Sequence, residues 1–222
     1  MSPVSWADMD HSCRTPDAPP QRPGVAPTTT SRNGVFAPQA LAIVRACSAE
    51  PTDVLVDGTR VRLRHLEAGD RDGLAALFAR LTPESRRRRF LVPKAELTPR
   101  ELAHLTDIDH VHREAIAAVD QRDGSIVGVC RYAQHADRPW VGDVACEVAD
   151  ELHGMGIGTA LGSCTVQRAR ANGFTHLTAT TLWENRPARA LLRRLGFRAH
   201  ASHGSEIEHE LKLDQAISHG TV

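Results

Sequence analysis

Apolar and polar residues alternate with a period of two along DGTRVRLRHL, where Val61, Leu63 and His65 interleave with Arg60, Arg62 and Arg64. That spacing predicts a strand with one wet face. Between Asp70 and Leu81 the period lengthens, and Leu74, Leu77, Phe78 and Leu81 recur at helical spacing. Thr98-Pro99-Arg100-Glu101 is a capping box with proline at the first helical position, opening a helix through Leu102 and Leu105. REAIAAVD and SIVGVCRY, joined across Gln121-Arg122-Asp123-Gly124, predict a hairpin. GDVACEVA predicts another strand, from Gly142 to Ala149. After a glycine-rich turn, Ile157, Ala160, Leu161 and Cys164 predict a helix that Asn172-Gly173 ends. FTHLTATT is a strand, and Asn185 caps a last helix bearing Ala188, Leu191, Leu192 and Leu195, closed by Gly196. Alternation of Ile207, His209, Leu211 and Leu213 completes the sheet. The order is strand, two or three helices, three strands, helix, strand, helix, strand, which is a mixed α/β sheet of one domain.

The flanks lack this patterning. Residues 1–50 hold most of the prolines among Ser, Thr, Asp and Arg, so they are expected to form a disordered extension, although 38–47 could form a short helix. The domain is expected to span 51–215, with a flexible tail at 216–222.

Composition narrows the function classes. Lys plus Arg is 27 and Asp plus Glu is 27, and that balance argues against non-specific nucleic-acid binding. No apolar run is long enough to span a membrane, and no secretory leader is visible at the amino terminus. The five cysteines, Cys13, Cys47, Cys130, Cys146 and Cys164, lack CxxC spacing and are expected to be free thiols in a reducing cytoplasm. Of the histidines, Asp109-His110-x-His112 is the tightest group but lacks a nameable third ligand, so no metal site is expected.

The segment richest in chemistry is DVACEVADELHGMGIGT, residues 143–159, in which a strand feeds a glycine turn and a helix starts at once. Glycines let a ligand approach the backbone amides, and the unpaired N–H groups and dipole of the helix's first turn favour an anion. A Walker loop is excluded because no Gly-Lys-Ser/Thr closes it, and the GxGxG spacing fits a dinucleotide fingerprint poorly. A coenzyme A pyrophosphate site and a merely tight strand–helix turn remain.

His153 to Gly158 resembles the GNAT acetyltransferase signature Gln/Arg-x-x-Gly-x-Gly/Ala, with His153 in the first position. Asn185-Arg186-Pro187-Ala188 through Leu195-Gly196-Phe197 resembles that family's second motif, and the two stand in the right order on the right element types. The resemblance covers about residues 52–213 and extends to the GNAT domain of bacterial protein lysine acetyltransferases. It implies a mostly antiparallel GNAT sheet, splayed at the acetyl-CoA cleft and flanked by helices. It further implies acetyl-CoA as co-substrate. The amides of Met155, Gly156, Ile157, Gly158 and Thr159 would hold the pyrophosphate, within the motif that His153 and Gly154 open. Backbone near Val148 would pair with the pantetheine arm, and Asn185 would contact that arm.

A lysine ammonium has a pKa near 10.4, so amine acetylation needs a group to accept its proton. Asp143 stands ten positions before His153, where the protein lysine acetyltransferases carry a glutamate base. Asp143, Ala145 and Glu147 share one strand face by alternation, which makes Glu147 the reserve candidate, as base or as the group holding it. Leu192 occupies the place where many GNAT enzymes carry a tyrosine that protonates the leaving thiolate, and Tyr132 is the only tyrosine. Cys146 lies on the opposite strand face and is expected to pack. Arg86 to Arg89 are expected to form a solvated helix face, with an acidic acceptor patch or the adenosine 3′-phosphate as alternatives. Trp140 either lines the acceptor entrance or packs. The acceptor is expected to be an amine, a protein lysine first, with a small amine, or a catalytically idle acyl-CoA-binding regulator, as the alternatives.

Overall fold

The structure is a computed structural model that describes residues 52–213 apart from 57. The expectations for 1–50 and 216–222 lie outside the described residues. Eight strands form one sheet in the order β1-β2-β3-β4-β5-β6-β8-β7. They are β1 (Thr52–Val56), β2 (Thr59–His65), β3 (Arg113–Asp120), β4 (Ile126–Gln134), β5 (Val141–Val148), β6 (His176–Leu182), β7 (Arg198–His203) and β8 (Glu206–Lys212). The helices are α1 (Arg71–Arg80), α2 (Pro83–Phe90), α3 (Pro99–Thr106), α4 (Ile157–Ala171) and α5 (Arg186–Arg194). Every neighbouring pair of strands is antiparallel except β5 and β6.

Local signals account for the helix boundaries. Thr98 and Glu101 close the predicted capping box at α3: Glu101 Oε2 accepts from the Thr98 N–H at 2.8 Å, and Thr98 Oγ1 accepts from the Glu101 N–H at 3.3 Å. Asn185 Oδ1 accepts from the Ala188 N–H at 3.2 Å and caps α5. Gly173, at φ +84°, turns the chain out of α4 in a conformation that costs glycine little.

The sheet has helices on both faces. On one, Ile157, Ala160, Leu161 and Cys164 of α4 and Leu192 of α5 pack on Val61, Leu63, Ile116, Cys130 and Val144. On the other, Leu74 and Leu77 of α1 and Leu105 of α3 pack on Ala115, Ala117 and Val129. Each fully buried leucine contributes about 1.5–3 kcal/mol. Of β5, Val144 belongs to the first layer, with Cys146 and Val148 packed against it. Two strands escaped the sequence pattern. β7 is an almost wholly exposed edge strand, RAHASH, with no apolar alternation to read. β1 is a five-residue strand at the opposite edge.

Candidate functional site

The parallel pair β5–β6 is short. Its register runs only over Val141↔His176, Gly142↔Leu177 and Asp143↔Thr178, although β5 continues to Val148 and β6 to Leu182. Beyond Asp143 the two strands part, so the sheet is forked, with Asp143 in the last paired position. Thr178 Oγ1 donates to Asp143 Oδ1 at 3.2 Å across that junction. Burial pushes the Asp143 carboxyl up to about 6, against the opposing effects of the Thr178 hydrogen bond and the Arg89 charge.

Asp143 and Glu147 do share a face of β5, the one that looks toward α1, α2 and α3, but their surroundings differ. Glu147 is held by two guanidiniums, Arg89 Nε on Oε2 and Arg131 Nη2 3.5 Å from Oε1. The three side chains are only 5% (Arg89), 4% (Arg131) and 8% (Glu147) exposed. Leu74, Leu77, Phe78, Leu81, Phe90, Leu97 and Leu105 line a small cavity in which Glu147 is the one polar group. Leu105 O accepts from Arg131 Nη1 at 2.9 Å, and burial lowers the Arg131 guanidinium to about 10.

Arg86–Arg89 do not form the expected solvated face. Arg86 lies over the Phe78 ring, 4.6 Å from its centroid, and donates to the carbonyls of Phe78 and Ala95. Arg87 reaches Glu184 Oε1 at 2.6 Å, just beyond β6, while Arg89 reaches Glu147 on β5. Helix α2 therefore bridges both arms of the fork. The charges are engaged because four consecutive arginines on one short helix point in different directions: Arg87 and Arg88 share Glu84 at i−3 and i−4, while Arg86 and Arg89 find acceptors elsewhere.

The glycine turn follows β5 through the 3-10 turn Asp150–Leu152. Gly154 and Gly156 adopt φ of +83° and +86°, and Gly156 is the N-cap of α4. Thr159 N–H closes on the Gly156 carbonyl at 3.0 Å, so Ile157 and Gly158 carry the helix's unmatched N–H groups. The first turn of α4 contains no acidic side chain, which leaves its positive end uncompensated, whereas α3 has Glu101 there. Those donors fit a pyrophosphate. Gly158 has a second reason to lack a side chain: a Cβ there would lie 3.3 Å from Leu191 Cδ2 of α5. The exposed His153 donates from Nε2 to Val148 O at 2.8 Å, so that carbonyl already has one donor. Asn185, half-buried at the cap of α5, spends its oxygen on the helix and keeps its NH₂ as the group a ligand would meet.

Three side chains weighed from sequence stand apart from the chemistry. Tyr132 is buried, donates to Val111 O at 3.0 Å and accepts from Asn172 Nδ2 at 2.6 Å, and burial raises its phenol to about 12. Leu192 belongs to the core. Cys146 faces Cys130 across the β4–β5 ladder, and that neighbour and burial push its thiol up. Trp140 is exposed at the closed end of the fork, where its carbonyl accepts from the Thr175 N–H at 3.0 Å. Trp183, which the sequence reading passed over, is exposed just beyond β6 with the Arg189 guanidinium 4.5 Å from a ring centroid. No helix among the described residues is long and apolar enough to cross a membrane.

Comparison with known proteins agrees with this architecture. Residues 79–197 match the family model for the Acetyltransferase (GNAT) family. The chain is 34% identical over 145 residues to Acetyltransferase PA5475 of Pseudomonas aeruginosa, which spans 64% of this chain and 77% of that protein. The GNAT domain of S. lividans PAT superposes with a TM-score of 0.69 at 25% identity, over 73% of this chain and 97% of that one. A GNAT phosphinothricin acetyltransferase from Sinorhizobium meliloti, solved in complex with AcCoA, shares the fold with a TM-score of 0.58 at 21% identity, over 73% of this chain and 93% of that one.

Proposed function

This chain belongs to the GNAT acetyltransferase family, and on that footing we propose that it transfers the acetyl group of acetyl-CoA to a protein lysine, with Asp143 as general base. The observation that carries the reading is the position of Asp143 at the junction of the fork, with its carboxyl raised to about 6 by burial. A base of that pKa is ionised at neutral pH and can accept the proton that the acceptor nitrogen gives up, directly or through a water, which frees the lone pair for attack. Thr178 donates to Oδ1 and the Val144 N–H also hydrogen-bonds the carboxylate, which would take the proton from the amine directly or through an intervening water.

Acetyl-CoA supplies an activated acyl group when bound. The unmatched N–H groups of Ile157 and Gly158 and the amides of Met155 and Gly156 would take its pyrophosphate, beside His153 and Gly154, with Thr159 at the edge of that set. The arm would run along β5 near Val148 toward Asp143, with Asn185 across from it. Glu147 serves as the anchor of α2 rather than as base, because two arginines already claim its oxygens. Cys146 stays a thiol, so the amine attacks the thioester directly. With Leu192 where many GNAT enzymes carry a proton-donating tyrosine, the coenzyme A thiolate leaves unassisted, which its cysteine-like pKa near 8.5 permits. The resemblance to protein lysine acetyltransferases supports a lysine acceptor.

The test is thiol release from acetyl-CoA in the presence of lysine-bearing proteins or of small amines, with mass spectrometry locating acetyl-lysine. Protein-stimulated release with acetyl-lysine formation is expected. Release with small amines alone would replace the acceptor, and binding of acetyl-CoA without release by any acceptor would make the domain a regulator.

A further inference from the structure

A second polar cluster lies well away from the fork, near the C-terminal end of α4. Arg168 is eleven residues along that helix from Ile157, which places it about 16 Å from the glycine turn. Its Nε donates at 3.2 Å to Oε2 of Glu114, a side chain with 0% exposure on β3. The other oxygen, Oε1, accepts from the Ala115 N–H at 2.9 Å. Two imidazoles converge on that same oxygen: His65 Nδ1 at 3.1 Å from the end of β2, and His110 Nδ1 at 2.8 Å from the turn before β3. The rings meet edge to face, 4.9 Å between centroids, and are 26% and 36% exposed, so one side of the cluster is open to water.

We propose that His65, His110 and Glu114 form a binding site for a first-row divalent cation, zinc foremost, with a fourth position left to solvent. Two neutral imidazoles and one carboxylate are a ligand set that zinc favours, and three protein ligands with an open position is a recurrent arrangement. One ligand atom from each residue lies within 4.8 Å of the other two. Tetrahedral bonds of about 2.0–2.1 Å require separations of roughly 3.3 Å. The half-exposed rings close that gap by turning about their side-chain torsions, while the buried carboxylate stays still. Arg168 and the Ala115 N–H already orient Glu114, as outer-shell donors orient a ligating carboxylate. The site would tie the end of β2 to the start of β3. His112 takes no part, because its Nδ1 is 3.0 Å from Asp109 Oδ2.

The inference is independent of the acceptor and of the base. To test it, the purified full chain is stripped with chelator and titrated with zinc against a chromophoric competitor. Cobalt is used in parallel for its visible absorption. One equivalent per chain is expected, with affinity reduced at least tenfold in His65→Ala and in His110→Ala and unchanged in His200→Ala. Since His65 and His110 are half-exposed, their variants should fold, and unaltered thiol release from acetyl-CoA checks that they do. Failure to take up an equivalent of zinc would overturn the proposal, as would full binding by the His65→Ala/His110→Ala double variant.

Discussion

Replacing Asp143 by Asn separates a catalytic role from a structural one because the two effects have opposite signs. The carboxyl is raised from 3.8 to about 6 in the folded chain. Between those values the native state binds more protons than the unfolded state, so stability falls as pH rises through that window. At pH 7 the ionised carboxylate costs up to about 3 kcal/mol, from the roughly two-unit shift at 1.36 kcal/mol each, and that is an upper bound for a half-buried side chain. Asn keeps the shape without the charge. Asp143→Asn should therefore melt several degrees higher than wild type at pH 7, and the gap should close below about pH 4, where aspartate is protonated in both states.

Activity should move the other way. Loss of a general base removes about 10²–10⁴-fold in kcat. In the wild-type enzyme kcat should fall about tenfold between pH 7 and pH 5, since a carboxyl at about 6 goes from about nine-tenths to about one-tenth ionised. The assay is thiol release at saturating acetyl-CoA and acceptor across pH 5–8, paired with thermal melts of the same preparations. An Asp143→Asn enzyme that turns over within threefold of wild type and keeps the acid limb would refute the base assignment. One that is slower but also less stable at pH 7 would refute the burial argument beneath it.

Arg89→Ala should lower stability by about 3–5 kcal/mol, because it strips Glu147 of one buried partner. It should also shift the acid limb of kcat to higher pH, because Arg89 holds the Asp143 carboxyl down; an unmoved limb would sever that link. Gly156→Ala places a side chain at φ +86°, a strain of about 1–2 kcal/mol, and should raise the KM for acetyl-CoA more than it lowers kcat. Asn185→Ala should cost about 1 kcal/mol through the lost α5 cap, visible in denaturant melts, together with a higher KM for acetyl-CoA.

What the sequence disclosed and what it concealed divide along the range of the interactions. The α3 capping box, the α4 start and the Asn185 cap each involve residues within four positions of one another, and each is where the pattern put it. The glycine turn and the shared face of Asp143 and Glu147 were legible for the same reason, since alternation along one strand settles them. The differences between those two carboxylates were not. Glu147 is taken by an arginine 58 residues away, and Arg87 by a glutamate 97 residues away, so a run of like charges reads as solvated until the fold supplies its partners. The histidine cluster repeats the lesson through one member: Glu114 stands only four positions from His110, but His65, which completes the trio, comes from β2, 49 positions before Glu114. Short-range pattern thus locates the parts of a site, whereas which carboxylate is free to act is decided by long-range pairing. That pairing makes Asp143 the residue on which the proposed chemistry depends, with burial and Thr178 setting its carboxyl first and Arg89 of α2 adding a charge that holds it down.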